Sequence, residues 1–209
     1  MASVDFRLSG EAHWPAQVHD AKSAVRWLRA RAGGLGVDPA RVGAWGESAG
    51  GHLAALLGLT GAELDGEVGV LGPSSAVDAV VAWYAPSDLA TVAAGVGADP
   101  MAVDSREALL LGAPVPAVPE LAAQASPLSH VHPGAPPFLL LHSRDDRLIP
   151  CDQSERLADR LGQAGAPVEL EAYPGAGHMW LGMPQIAEQA LTRTVGFLQR
   201  QLHPTAAST

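Results

Sequence analysis

Residues 41–59 read RVGAWGESAGGHLAALLGL. The run RVGAWG over 41–46 has the apolar and small composition of a buried strand, and a helix is expected from about Ala49 to Leu59. Between them Gly46-Glu47-Ser48-Ala49-Gly50 fits G-x-S-x-G, the pattern of a nucleophile elbow. So sharp a strand-to-helix turn forces the serine into a strained backbone conformation and pushes its hydroxyl into the cleft. Small flanking residues let the helix pack close to the strand. By itself the pattern is a weak signal in a chain with 23 glycines. Its position directly after a strand and directly before a helix gives it meaning. The plainer alternative is a glycine-rich turn with Ser48 capping the helix.

Working outward, strand-like and helix-like periods alternate. Residues 2–8 read as a short strand. A helix over 15–33 is opened by Pro15 and stopped at Gly33-Gly34, with Val18, Ala21, Val25 and Leu28 recurring on one face. Residues 77–85 and 138–143 are near-continuous apolar strands, and 168–173 is a further strand. Helices are expected over about 152–164, ending at Gly165, and about 184–202. Such alternation implies an α/β fold, a mostly parallel sheet with helices on both faces. Ligands bind such sheets at the carboxyl ends of the strands, so the loops after residues 46, 85, 144 and 173 are where a site belongs. Residues 87–137, rich in Ala, Gly and Pro, interrupt the rhythm. They read as a cap-like excursion within a single domain over 1–209, not as a second domain. Residues 203–209 read as a loose tail.

Composition narrows the function. The chain has 209 residues, 47% apolar and 17% charged, which excludes a disordered chain. Its net charge of −9 does not suit nucleic acid or an anionic membrane. The single cysteine, Cys151, allows neither an internal disulfide nor a cysteine-rich zinc site. No apolar run is long enough to span a membrane. The first residues lack the basic and apolar regions of a signal peptide, so a cytoplasmic location is expected. Neither a metal nor a cofactor is expected. A dinucleotide site is set aside because Ser9-Gly10-Glu11-Ala12, after the first expected strand, lacks G-x-G-x-x-G.

Two further segments complete a chemistry. His142-Ser143-Arg144-Asp145-Asp146-Arg147-Leu148-Ile149-Pro150 follows a buried strand. A carboxylate there can accept the Nδ1 proton of a histidine and fix its tautomer, and either Asp145 or Asp146 could serve. Pro174-Gly175-Ala176-Gly177-His178 follows the last strand, with glycines that let the imidazole swing back over the serine. The order Ser, Asp, His along the chain is that of α/β-hydrolases. Of the other histidines, His13, His19 and His203 read as surface residues and His52 as packing. His130 and His132 could line a pocket, and His142 supports the acid turn.

These blocks, with VDFRLS, PAQVHDAKSAVRWLRA, WYAPSDL and ASPLSHV, resemble α/β-hydrolase-fold carboxylesterases. The branch is that of hormone-sensitive lipase and the acetyl-xylan or feruloyl esterase-like proteins. The resemblance covers about residues 2–200. It implies Ser48 as nucleophile, Asp146 as acid and His178 as base, with Asp145 left as a turn residue. It also implies an oxyanion donor in the backbone N–H of Ala49, and structural or pocket-supporting roles for Asp20 and Asp88. Members of the family carry a further segment before VDFRLS, with the first strands and an HGG-type loop that supplies the other oxyanion donors. No HGG occurs here. The chain therefore reads as a truncated member with an open sheet edge, on which a homodimer could form, and with weakened activity.

The expected reaction is hydrolysis of small to medium acyl or aryl esters through an acyl-enzyme. Glu47, Tyr84, Met179 and Trp180 are the expected pocket residues, while Trp45 and Trp83 read more simply as core. Two alternatives stand beside it: a peptidase or amidase using the same three residues, and a catalytically impaired fragment acting as a binding module.

Overall fold

In the computed structural model, residues 1–203 are described. Helix α1 spans Ala16–Leu35 and strand β1 Gly43–Glu47, followed by α2 over Ala49–Leu59 and β2 over Ala79–Trp83. Three short helices follow, α3 (Leu89–Gly95), α4 (Arg106–Leu111) and α5 (Pro119–Gln124). The regular alternation then resumes with β3 (Phe138–Ser143), α6 (Asp152–Gln163), β4 (Val168–Tyr173) and α7 (Pro184–Leu202). The four strands pair in parallel in the order β1-β2-β3-β4. Register places Glu47 beside Trp83 and Ser143 beside Tyr173, so the carboxyl ends of the strands form one rim.

The central strands are buried on both faces, as parallel strands under two helical layers must be. Val80, Ala82, Phe138 and Leu140 share a core with residues of α1, α2 and α6. Ala79, Val81, Trp83, Leu139 and Leu141 point the other way, into a core with Ile186, Ala190 and Phe197 of α7. Leu111, Val115, Ala122 and Ala125, from the 87–137 segment, sit in the first of these cores.

Residues 2–8 do not form a strand. The Arg7 guanidinium grips Asp20 of α1 with two 2.8 Å bonds, and the Arg7 backbone N–H donates to the same carboxylate. The segment thus spends its main-chain donor on a helix side chain, not on a strand partner. The Arg7 bonds hold the Asp20 carboxyl below its ordinary pKa. Helix α1 also runs through Gly33-Gly34 and stops at Gly36, whose φ of 65° allows its N–H to turn back to the Ala32 carbonyl. A glycine inside a helix costs only about 1 kcal/mol; the left-handed position is what ends it.

The chain's one lysine is a buried strut. Lys22 Nζ donates to the carbonyls of Thr60 and Gly61 and to Ser75 Oγ, with Asp65 3.4 Å away. One turn on, Arg26 donates to the carbonyls of Asp65, Val68 and Val70. Together they organise the loop between α2 and β2 by satisfying its inward carbonyls. Among the described residues, no helix is long and apolar enough to cross a membrane.

Candidate active site

The elbow is built by glycine contacts. A Cβ on Gly46 would overlap the backbone of Gly50, and one on Gly51 would meet Ala85 Cβ at 2.9 Å and the carbonyls of Gly46 and Trp83 at 3.0 Å. Gly50, the last glycine of the motif, has open space around it. Close helix–strand packing therefore rests on Gly46 and Gly51. Ser48 sits between them at φ 51°, ψ −117°, its N–H bonded to the Trp83 carbonyl at 2.9 Å. Its hydroxyl does not cap α2. It lies 3.0 Å from His178 Nε2 instead. The first hydrogen bond of α2 runs from His52 N–H to the Ser48 carbonyl, so the N–H of Ala49 precedes the helical ladder.

His178 Nδ1 lies 2.7 Å from Asp146 Oδ2. The Asp146 side chain is fully buried. Burial alone raises a carboxyl pKa. Here it is overcome by the nearby His142 ring, whose Nε2 lies 3.5 Å away, and by bonds from His178 and the backbone N–H groups of Ile149 and Leu148, leaving Asp146 well below the usual carboxylate range. An ionised Asp146 keeps the proton on Nδ1, so Nε2 faces Ser48 as an acceptor. His142 is held on both sides, by Ser154 Oγ at 2.7 Å and the Ile149 carbonyl at 3.0 Å.

Asp145 has a part that the sequence did not disclose. Its carboxylate accepts the N–H of Gly175 at 2.5 Å. Ser143 Oγ bonds to the carbonyl of Ala176, and the Arg144 N–H to that of Tyr173. The acid turn thus clasps the histidine loop along its length, and Gly175 supplies the turn with φ 80°. The signal available was two adjacent aspartates facing a glycine-rich loop, but no spacing rule pairs Asp145 with Gly175.

Of the expected pocket residues, Glu47 is exposed and Met179 is 56% exposed, while Tyr84 and Trp180 are only 2% and 3% exposed. The Tyr84 ring packs against the histidine ring, and Trp180 packs against Tyr84. Trp45 and Trp83 pack 5.0 Å apart on the α7 face. Asp88 caps α3 and pairs with Arg156 at 2.7 Å. His52 is buried and bonded to the Ala125 carbonyl at 2.6 Å, joining α2 to the segment after α5.

A BD-FAE family model matches residues 1–161. The chain belongs to the BD-FAE family. It is 34% identical to Esterase LipC of Mycobacterium tuberculosis over 84% of this chain and 44% of that protein. It is 30% identical to Carboxylesterase NlhH of the same species, over 97% of this chain and 64% of the relative. This BD-FAE chain thus spans less than half the length of LipC and under two thirds of NlhH. Among solved structures, a truncated form of a carbohydrate esterase from gut microbiota superposes with a TM-score of 0.87. That match is 32% identical and covers 95% of this chain and 73% of the other. Esterase 2 of Thermogutta terrifontis superposes at 0.76, with 29% identity over 97% and 71% of the two chains. The fold is that of the α/β-hydrolase esterases.

Burial drives the His52 pKa down to about 4, so the ring is neutral at pH 7. Unfolded, it takes up a proton below about pH 6.5. The unfolded state therefore binds more protons between these values, and stability falls as pH drops from 6.5 towards 4. In urea titrations at pH 7 and 4.5, His52→Gln should reduce this acid-induced loss by about 2–3 kcal/mol. An unchanged loss would contradict the assignment. Asp146 acts in a lower window, since a depressed carboxyl loses its stabilisation only below about pH 4.

Proposed function

We propose that this chain is a serine carboxylesterase in which Ser48 is the nucleophile, His178 the general base and Asp146 the acid. The observation that carries the reading is the unbroken line from Asp146 Oδ2 through His178 to Ser48 Oγ, with bonds of 2.7 and 3.0 Å. His178 Nε2 takes the serine proton as Oγ attacks the acyl carbon, and returns it to the leaving alcohol. Asp146 orients the ring and stabilises the imidazolium. Water activated by His178 then releases the acid from the acyl-enzyme. The elbow contributes the N–H of Ala49 to the oxyanion, at the start of α2 where the helix dipole favours negative charge.

Small to medium acyl or aryl esters suit this site. Met179, Leu148 and Leu181 offer exposed apolar surface beside or just beyond the histidine and acid turns. The names of the relatives, esterases and carboxylesterases, favour esters over amides. Residues 87–137 belong to the same domain in this reading, as a cap-like excursion. The outer edge of β1, which pairs only with β2 among the described residues, is where a homodimer would form. Sedimentation as a monomer at working concentration would remove that part.

The test is the initial rate on p-nitrophenyl acetate and butyrate for the chain and for Ser48→Ala. The expected result is a measurable rate that falls by at least about 10³-fold in the variant, as loss of a nucleophile requires. Equal rates in both proteins would overturn the reading. Turnover of aminoacyl-arylamides without turnover of esters would replace it with an amidase.

A further inference from the structure

Four non-glycine residues among those described have positive φ: Ser48 at 51°, Tyr84 at 37°, Met179 at 62° and Trp180 at 51°. Such a conformation is costly for a residue with a Cβ and persists only where its surroundings over-determine it. All four stand at the carboxyl rim of the sheet. The elbow accounts for Ser48, and the turn that carries His178 accounts for Met179 and Trp180. Tyr84 has no part in the proton transfers or bond changes of the reaction.

Its surroundings show what the strain achieves. Tyr84 follows β2 directly, and its N–H is bonded to the Leu141 carbonyl of β3 at 2.7 Å. The side chain is nearly fully buried. Its hydroxyl donates to Glu47 Oε2 at 2.5 Å, and Glu47 is the residue immediately before Ser48. Its ring meets the His178 imidazole edge-on, with centroids 4.7 Å apart. On another side it meets Trp180 at 5.0 Å and 90°. Trp180 is wedged in turn against Trp83 at 4.7 Å and Tyr173 at 5.6 Å. One side chain therefore links the serine turn to the body of the imidazole, whose two nitrogens are committed to Asp146 and Ser48. Burial and the Glu47 bond both raise the phenol pKa, so it remains a donor. A bond from a phenol to a carboxylate is short and roughly twice as strong as a neutral one.

We propose that Tyr84 and Glu47 form a positioning pair for His178: the hydroxyl bond locks the tyrosine ring, and the ring holds the imidazole so that Nε2 stays on line to Ser48. The proposal rests on the catalytic reading of Ser48, His178 and Asp146. It gives Glu47 a definite task in the elbow, as the fixed anchor for a residue on the neighbouring strand. Neither residue is a catalytic residue in the sense of touching substrate; both act through the histidine.

The experiment compares Tyr84→Phe, Glu47→Ala, Glu47→Gln and the double variant Tyr84→Phe/Glu47→Ala. Steady-state kinetics use p-nitrophenyl butyrate. Proton–nitrogen NMR of the His178 ring is recorded on the resting proteins. Loss of alignment should lower kcat by roughly 5- to 50-fold in Tyr84→Phe and in Glu47→Ala, with KM changed by less than about twofold. The double variant should lose no more than either single one, because both break one bond. Glu47→Gln, whose amide oxygen still accepts the phenol, should recover most of the loss. The His178 ring resonances should shift or broaden in Tyr84→Phe and Glu47→Ala and return in Glu47→Gln. Unchanged kcat in Tyr84→Phe, additive losses, or identical ring resonances in all variants would each overturn the pairing. If the unsubstituted chain hydrolysed no ester, the catalytic reading would fail, while the ring resonances would still decide whether Tyr84 holds His178. If Tyr84→Phe did not fold, the exposed Glu47 variants would carry the test.

Discussion

The structure depends on one tight contact, the crossing of β1 into α2 at Gly46 and Gly51. No side chain fits at either glycine. The closeness of the two elements leaves Ser48 at φ 51°, a conformation a serine adopts only under constraint. That constraint lifts the hydroxyl off the helix, where it would have capped the first turn, and presents it to the rim. Packing at two glycines and the placement of one serine hydroxyl are thus a single fact. The register of the sheet then decides which turns meet it: Glu47 lies beside Trp83, and Ser143 beside Tyr173.

The histidine is held from three directions, each by a different force. Asp146 holds Nδ1 electrostatically, and its buried carboxylate stays ionised because the His178 ring and the N–H groups of Leu148 and Ile149 bond it. Asp145 and Ser143 hold the backbone of the loop by hydrogen bonds. Tyr84 and Trp180 hold the ring and its neighbour by packing. Such redundancy is what a short, glycine-rich loop needs to present an imidazole in one orientation. The acid turn is in turn fixed by His142, a buried ring with both nitrogens bonded.

Much of this was legible in the chain. The strand over 168–173 and the helix over 184–202 have the observed bounds, because Gly165 and Pro184 punctuate them and their periods do not conflict. Ser48 and His178 were visible because a nucleophile elbow and a glycine-rich loop have local signatures. Asp146 was not separable from Asp145 by residue type alone; the resemblance favoured it, and in the fold it is Asp146 that lies 2.7 Å from His178 Nδ1. Residues 2–8 alternate like a strand, but strand formation needs a partner and Arg7 found Asp20 instead. The helix runs past Gly33-Gly34 to Leu35 because a glycine's role depends on its φ, which composition does not show. The buried placement of Tyr84 and its bond to Glu47 join residues from neighbouring strands, and no local pattern encodes that.

On this reading the elbow, the loop and the acid turn together make one activated serine. Esterase 2 of Thermogutta terrifontis, similar in fold, is phosphorylated by paraoxon. The most direct measurement is therefore the site and rate of paraoxon labelling by mass spectrometry, in the chain and in Ser48→Ala, His178→Ala and Asp146→Asn. The expected result is a single adduct on Ser48, absent from Ser48→Ala and formed at least about 100-fold more slowly in the other two. No adduct on Ser48, or labelling at the same rate when His178 is removed, would contradict it.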